Sequence, residues 1–554
     1  MHSRNCWFAC ALASVLSVLS LSVAAGVAHA QGHGTIQKAD PNIPSDGTMS
    51  PAAHAAMTRG RLPINDEEVA MKSAANRALQ EEMNSRAPIS PAAAPEESDS
   101  PANPAIVGGH SFVGQSDPNS APSDSTGTIG PVSYIQTVNR RVKIYNRHSH
   151  ASMATGTLNA LAGNAASVNS FDPQIMWDPT TSRFYYVTVS VFSAANNKLS
   201  FGFSRTANPT SLSTADWCKY HYTPADPARF PDYPKLGDSG FFIIIGVNSF
   251  RPGFVGSDLI AISKPPAGTA CPDESSFKIG TQLNLRDTSN RRVFTPVPAN
   301  QVDNNGVGYV IARHGSLPAN RFWFFTVNRN SITGEPVFGT ARGLAVPNYT
   351  MPPAALQPSF AQVLDTLDAR HTQAVQAINP NRGSVHSFYV QHTVRHASQN
   401  RSVVRWYEIN PAGSPVLLRR GEIGAGSDNF YFNAAISPDR RKDGAAVRFG
   451  DSFVIEYNQS SSVNNINPRI VAASSFNGGA LTTKVIKTGR GYRDFTCPNA
   501  GQTCRWGDYS SAMPDPRPTT TGRGEVWITN QYSSVANPST TRANWSTWIA
   551  AVQP

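Results

Sequence analysis

From residue 133 to the C-terminus, alternating or wholly apolar runs recur in pairs. SYIQTVN with RVKIYNR at 133–147 is the first pair, and RFYYVTVSV with KLSFGFSR at 183–205 is the second. FFIIIGVNSF with DLIAISK, VGYVIARHG with RFWFFTVN, SVHSFYVQHTV with VVRWYEI, AVRFGDSFVIEYN with RIVAASSF, and EVWITNQY with TWIAAV extend the series to seven. Period-two alternation, β-branched and aromatic enrichment, and bounding Gly, Pro and Asn predict antiparallel hairpins.

A shorter strand precedes six of the hairpins. Its starts are FDPQIMWDP at Asp172, PDYPKLGDSG at Asp232, VFTPVPAN at Thr295, LDARHTQAV at Asp368, FNAAISPD at Asn433 and GDYSSAMPDP at Asp508, roughly 60 to 75 residues apart. Short inner strand plus hairpin, repeated at that period, predicts an all-β chain forming a β-propeller of six or seven four-stranded blades. The first hairpin either completes a seventh blade or only closes the ring with the last strand.

Residues 31–126 break this pattern. They are rich in Ala, Pro, Ser and Asn with few large apolar side chains, and PISPAAAPEESDSPANPA has a linker's composition. A disordered, propeptide-like arm is expected here, with one helix near 65–84. There Asn65 or Asp66 can cap, Glu67 and Glu68 suit the first turn, and Val69, Ala70, Leu79 and Met83 form a thin apolar stripe. The propeller is expected over 127–554.

Residues 1–30 place the protein. A basic start, the apolar ALASVLSVLSLSVAAGVA and the small-residue site Ala28-His29-Ala30 predict a signal peptide cleaved near Ala30, hence a secreted or periplasmic protein. No later segment is apolar enough to span a bilayer. The expected mature chain keeps Cys218, Cys271, Cys497 and Cys504, an even count that suggests two disulfides in an oxidising compartment. Three connectivities exist; the tight turn in TCPNAGQTC favours Cys497 with Cys504, leaving Cys218 with Cys271. Zinc would need tighter clustering, and no metal site is assigned. The net charge of +10 rests largely on arginine, whose guanidinium suits carboxylate, sulfate or phosphate groups. The expected partner is an extracellular polysaccharide or surface protein, acidic in character; no nucleic-acid motif is present.

Any chemistry should sit where the inner strands converge. Asp172, Asp232, Asp368 and Asp508 are the candidate catalytic carboxylates, and Tyr233, Arg370, Arg505, Trp506 and Tyr509 the candidate binding residues beside them. Converging carboxylates supply acid and base for glycoside chemistry. They also suit a hard cation such as Ca2+, although nothing in the sequence requires a cofactor. The same aspartates can instead cap turns, a structural device that repetition would copy. Serine-hydrolase elbows, zinc-protease spacing and phosphate-binding loops are absent.

GPVSYIQTVNRRVKIYNR, FDPQIMWDPTTSRFYYVTVS, PDYPKLG, LDTLDARHTQAV and RWGDYSSAMPDP, in that order, resemble exported bacterial propellers of the sialidase-like, Asp-box type. The resemblance covers roughly residue 128 onward and implies the fold, with activity unassigned. True sialidases of that superfamily carry an R-I-P opening and intact Asp-boxes; this chain has no R-I-P, and SPDRRKDGAAV is a broken Asp-box, so no sialidase residue transfers. Three readings follow: a propeller that binds extracellular glycan or protein through its loop-rich face; a glycoside hydrolase or polysaccharide lyase using channel carboxylates; and a surface adhesin or assembly factor.

Overall fold

Seven antiparallel sheets succeed one another in a computed structural model that describes residues 33–59, 62–85, 104–303, 305–379, 382–424, 428–517 and 523–554. The expected signal peptide lies outside the described residues. Blade one comprises Thr126–Ile129, Ser133–Val138, Arg141–Asn146 and Ser152–Thr157, and blade two begins at Asn169–Asp178. Blades three to six start at Phe230–Asp238, Val293–Gln301, His371–Asn379 and Phe430–Pro438. Blade seven takes Ser511–Pro514, Val526–Ser533 and Trp545–Gln553 from the chain's end, and its fourth strand, Ala105–Val113, from before blade one.

That borrowed strand settles the blade number at seven. The 133–147 hairpin belongs to a complete blade one, and closure falls to Ala105–Val113, where Ala105 pairs with Gln553. Each neighbouring pair of blades buries one apolar cluster, the last with the first included: Ile129, Tyr134 and Tyr145 of blade one pack on Trp527, Ile549 and Ala551 of blade seven. Blades four and five are also joined at the axis by parallel pairing of Ala299 with Ala374.

Inner-strand residues from six blades, among them Gln174, Lys235, Asn300, Gln373 and Met513, surround an axial void of only about 10 Å3. The axis is therefore filled. Asn300 Nδ2 approaches Met176 Sδ at 3.0 Å, and Gln373 Nε2 donates to the Ala512 carbonyl at 2.9 Å.

The arm differs from its expectation. Thr35–Lys38 adds a fifth strand to blade two, pairing Ile36 with Tyr222. A helix not foreseen, α1 (Pro51–Arg59), buries Ala52, Ala53 and Ala56 among Phe171, Phe230 and Phe294. The foreseen helix is α2 (Asp66–Ser85), capped by Asn65 Oδ1, which accepts from the Glu68 amide at 2.9 Å. Of its expected stripe Leu79 is buried while Val69 is exposed. Polar contacts anchor the helix instead: Glu68 with Arg313, Lys72 donating to the Leu367 carbonyl at 2.8 Å, Asn76 accepting from the Ala354 amide at 2.7 Å, and Glu82 with Arg401 at 2.7 Å.

Cys218 is bonded to Cys271, and Cys497 to Cys504. No helix among the described residues is long and apolar enough to cross a membrane.

Candidate functional site

The innermost strands carry a bulge where one extra residue faces the neighbouring strand, and it re-aims the backbone. In blades two, three, four and six the residue at this step is left-handed: Asp172 (φ 52°), Tyr233 (φ 56°), Thr295 (φ 52°) and Asn433 (φ 48°). Asp and Asn tolerate that region; Tyr and Thr are held there against preference, of the order of 1–3 kcal/mol each. The repeat therefore aligns Asp172 with Tyr233. Asp232 stands one residue ahead, and Asp368 precedes the His371–Ala374 bulge of blade five, which corrects the expected equivalence of the aspartates. The carboxylates meet for a different reason: these segments converge on one face of the ring.

There they form a buried network. Asp124, unforeseen, accepts from the Asp508 amide at 2.8 Å and from Asn139 Nδ2 at 2.6 Å, while Asn139 Oδ1 accepts from the Asp172 amide at 2.9 Å. Asp368 takes a two-pronged ion pair from Arg370, at 2.8 and 2.7 Å. Asp508 is paired with Arg505 at 2.5 Å, and Tyr233 donates its hydroxyl proton to the Asp508 carbonyl at 2.7 Å. Lys235 Nζ lies 4.0 Å from the centre of the Tyr233 ring and 3.6 Å from that of Tyr509. Neither Asp232 oxygen accepts a conventional hydrogen bond among the described residues.

Burial governs the protonation of this network. It pushes Asp172 up to about 8, assisted by the Asp232 and Asp508 charges. Burial likewise lifts Asp232 to about 7 against the pull of Arg370, and raises Asp124 well above the carboxylate range. Lys235 is driven well below its usual value by the same desolvation. For Arg370, burial works against the charge, but the Asp368 carboxylate overcomes it and raises the group. Two ion pairs thus sit beside acids that favour their protons. Among the described residues the aspartates of this cluster do not gather as a cation site, and the raised values of Asp172 and Asp232 favour protons over a cation.

Of the four candidate aspartates, Asp172 lines an open cavity. This space of about 360 Å3 is lined by Asp172, Asn139, Arg140, Asn169 and Ser170, with Ala56, Met57 and Thr58 of α1 as one wall and Phe495 among the remaining lining residues. Phe495 is 38% exposed, a flat apolar ring facing solvent. The arm covers the rest of the cluster: Lys72 lies 3.7 Å from Asp365, beside Arg370 and Asp368 in sequence, and the Leu62 amide acts on Asp232.

Trp506 does not join the site. Its ring is wholly buried against Tyr492 and Phe432, and its indole N–H is taken by Asn458 at 2.8 Å, so it is core rather than a sugar platform. His371 and His392 are buried strand residues, stacked at 5.2 Å. The sequence offered a signal for Asp124, which lies in the SDS run before the first inner strand; Phe495 and Asn139 belong to loops that only the ring brings near Asp172.

No protein-family model matches the chain, and no curated protein matches it in sequence. Among solved structures it is similar to an α-L-arabinanase of Penicillium chrysogenum complexed with arabinobiose, at 9% identity over 70% of this chain and 93% of that one, with a TM-score of 0.31. An exo-β-1,3-galactanase from Clostridium thermocellum gives 12% identity over 68% and 88%, TM-score 0.30. The WD40 domain of SCAP from fission yeast gives 8% over 76% and 81%, TM-score 0.29. Likenesses this distant bring no activity to the chain; its fold rests on its own sheets.

Proposed function

We propose that this protein is an exported carbohydrate-active enzyme that cleaves a glycan bound in the Asp172 cavity. The observation that carries the reading is the position of Asp172: a carboxyl group that burial raises to about 8, at the wall of an open cavity that also contains an exposed aromatic ring. A protonated acid beside a sugar is what leaving-group departure requires, and an aromatic face is a natural sugar platform. Asp232, its strongest charged neighbour, with neither oxygen conventionally hydrogen-bonded, is the second carboxylate of the pair. Arg370 and Arg505 are ion-paired with Asp368 and Asp508 behind the pair.

Export and the sialidase-like type belong to this proposal. The N-terminal apolar run ending in Ala28-His29-Ala30 and the two disulfides support secretion or a periplasmic location. The filled axis and the arm across the face favour a second reading, a propeller that retains a polysaccharide or surface protein without turning it over.

The test is incubation of the purified protein with neutral and acidic polysaccharides, reading reducing ends and unsaturated products beside Asp172→Asn and Asp232→Asn. Products lost in both variants support the enzyme. Retention of polymer with no product from any chain leaves the binding reading in its place.

A further inference from the structure

We infer that Arg140 and Arg141 form a subsite for an oxyanion carried on the sugar, so that the glycan of the proposed reaction is an acidic one; the inference rests on the Asp172 cavity being the glycan site. A second cavity, about 270 Å3, adjoins the first: both are lined by Asn119, Arg140, Asn169 and Ser170, and the second adds Arg141, Asp117 and Thr157. The two spaces adjoin across these shared residues, with Asp172 lining one, Arg141 the other and Arg140 both.

Neither arginine is committed elsewhere. Arg140 is exposed and Arg141 half-buried, and among the described residues neither side chain makes a hydrogen bond or an ion pair. Most buried arginines of this protein are paired, as Arg147 with Asp515, Arg370 with Asp368 and Arg401 with Glu82. Asp117, the acid lining the same space, directs Oδ1 to the Asn119 amide at 3.0 Å and bridges to neither arginine.

The turn that presents them is rigid. Arg140 occupies a left-handed position (φ 74°) at the tip of the hairpin joining Ser133–Val138 to Arg141–Asn146. Its carbonyl accepts from the Leu158 amide at 3.0 Å. Its neighbour Asn139 holds both Asp124 and the Asp172 backbone. The backbone that carries the two arginines is thereby held relative to the Asp172 segment, leaving their free guanidinium groups to close on a ligand. A guanidinium fork matches carboxylate or sulfate oxygens in two-point contacts.

The experiment compares the wild type with Arg140→Gln/Arg141→Gln. Binding is measured by titration calorimetry against polygalacturonate, its fully methyl-esterified form, dextran sulfate and dextran, with turnover read in parallel. Expected is binding of an anionic polymer at least about tenfold tighter than of its neutral counterpart, a preference the double variant loses. Preference for polygalacturonate assigns a carboxylate, and preference for dextran sulfate a sulfate. Arg420→Gln, which removes an exposed charge on the outer strand of blade five, keeps the preference; matching unfolding midpoints exclude misfolding as the cause. Equal binding of charged and neutral polymers, binding of none, or an unchanged preference in the double variant overturns the subsite. Cleavage of a neutral polymer without preference sinks the subsite and leaves the enzyme. Arginine-dependent retention without cleavage does the reverse.

Discussion

Glu68 of α2 is ion-paired with Arg313 of blade four, whose side chain is wholly buried. A helix from the N-terminal arm thus supplies the counter-charge to a guanidinium inside the propeller, with the face of Phe294 on its other side at 4.5 Å. Removing the acid strands that charge in the core. Glu68→Ala should cost about 3–5 kcal/mol in unfolding free energy, and Glu68→Ala/Arg313→Met should recover most of it. Urea denaturation of the three proteins measures this. A single variant as stable as the wild type would show the arm to be dispensable to the propeller.

The protonation of Asp172 fixes a sign for pH dependence. With a folded value of about 8 against about 3.9 in the unfolded chain, the folded state keeps a proton that the unfolded chain gives up. Stability therefore falls as pH rises through that interval and levels off above it. Buried His221 and His371, lowered by desolvation to about 4 and about 3, act oppositely and only below about pH 6.5. Between about pH 6.5 and 8 the histidines are silent. In that window the melting temperature of Asp172→Asn should decline less steeply than that of the wild type. Turnover, if Asp172 is the acid, should fall away above about pH 8. Parallel melting curves for the two proteins would rule out the buried proton.

Phe495 should matter to ligand and not to fold. Phe495→Ala is expected to weaken polysaccharide retention by roughly fivefold, about 1 kcal/mol, with the unfolding midpoint unchanged. Affinity electrophoresis with immobilised polymer reads the first and a thermal melt the second. Unaltered mobility would remove the ring from the site.

The two disulfides should differ in weight. Cys218–Cys271 closes a separation of 53 residues and joins the fourth strand of blade two to the loop between the last two strands of blade three, whereas Cys497–Cys504 closes 7. Chain-entropy arguments give about 4 kcal/mol for the longer loop and about 2–3 kcal/mol for the shorter. Cys218→Ser/Cys271→Ser should therefore lower the unfolding free energy more than Cys497→Ser/Cys504→Ser. The opposite order would mean that strain or residual structure in the reduced chain outweighs loop length.

The hairpins were legible because two-sided burial makes each strand a nearly continuous apolar run, as in FIIIGVNSF, where every residue is buried. The ring's closing strand was not. AIVGGHSFV holds two glycines and a register shift between Ile106 and Ser111, which breaks the alternation that marks a strand. α1 escaped for a related reason: its buried face is Ala52, Ala53 and Ala56, and small residues against large aromatics read as linker composition. At the site, the aspartates were visible as a repeated letter, but a one-residue bulge separates Asp232 from the position Asp172 occupies. Trp506 carried no sign of its depth, since an aromatic next to a strand suits core and platform equally.

The pairing of Ala105 with Gln553 bears on how the molecule is made. A strand translated near the beginning has no partner until the last residues exist, so six blades can be laid down while the seventh waits. Until then Ala105–Val113 has no strand beside it, an open edge of the kind that recruits other chains. Biogenesis of this protein thus has a final step that no earlier blade can anticipate, and truncation by a few C-terminal residues should harm it more than truncation in any surface loop. Conversely, because the two ends of the ring are already stitched side by side, new termini cut between two inner blades, with the old ones joined, should give a chain that folds without waiting.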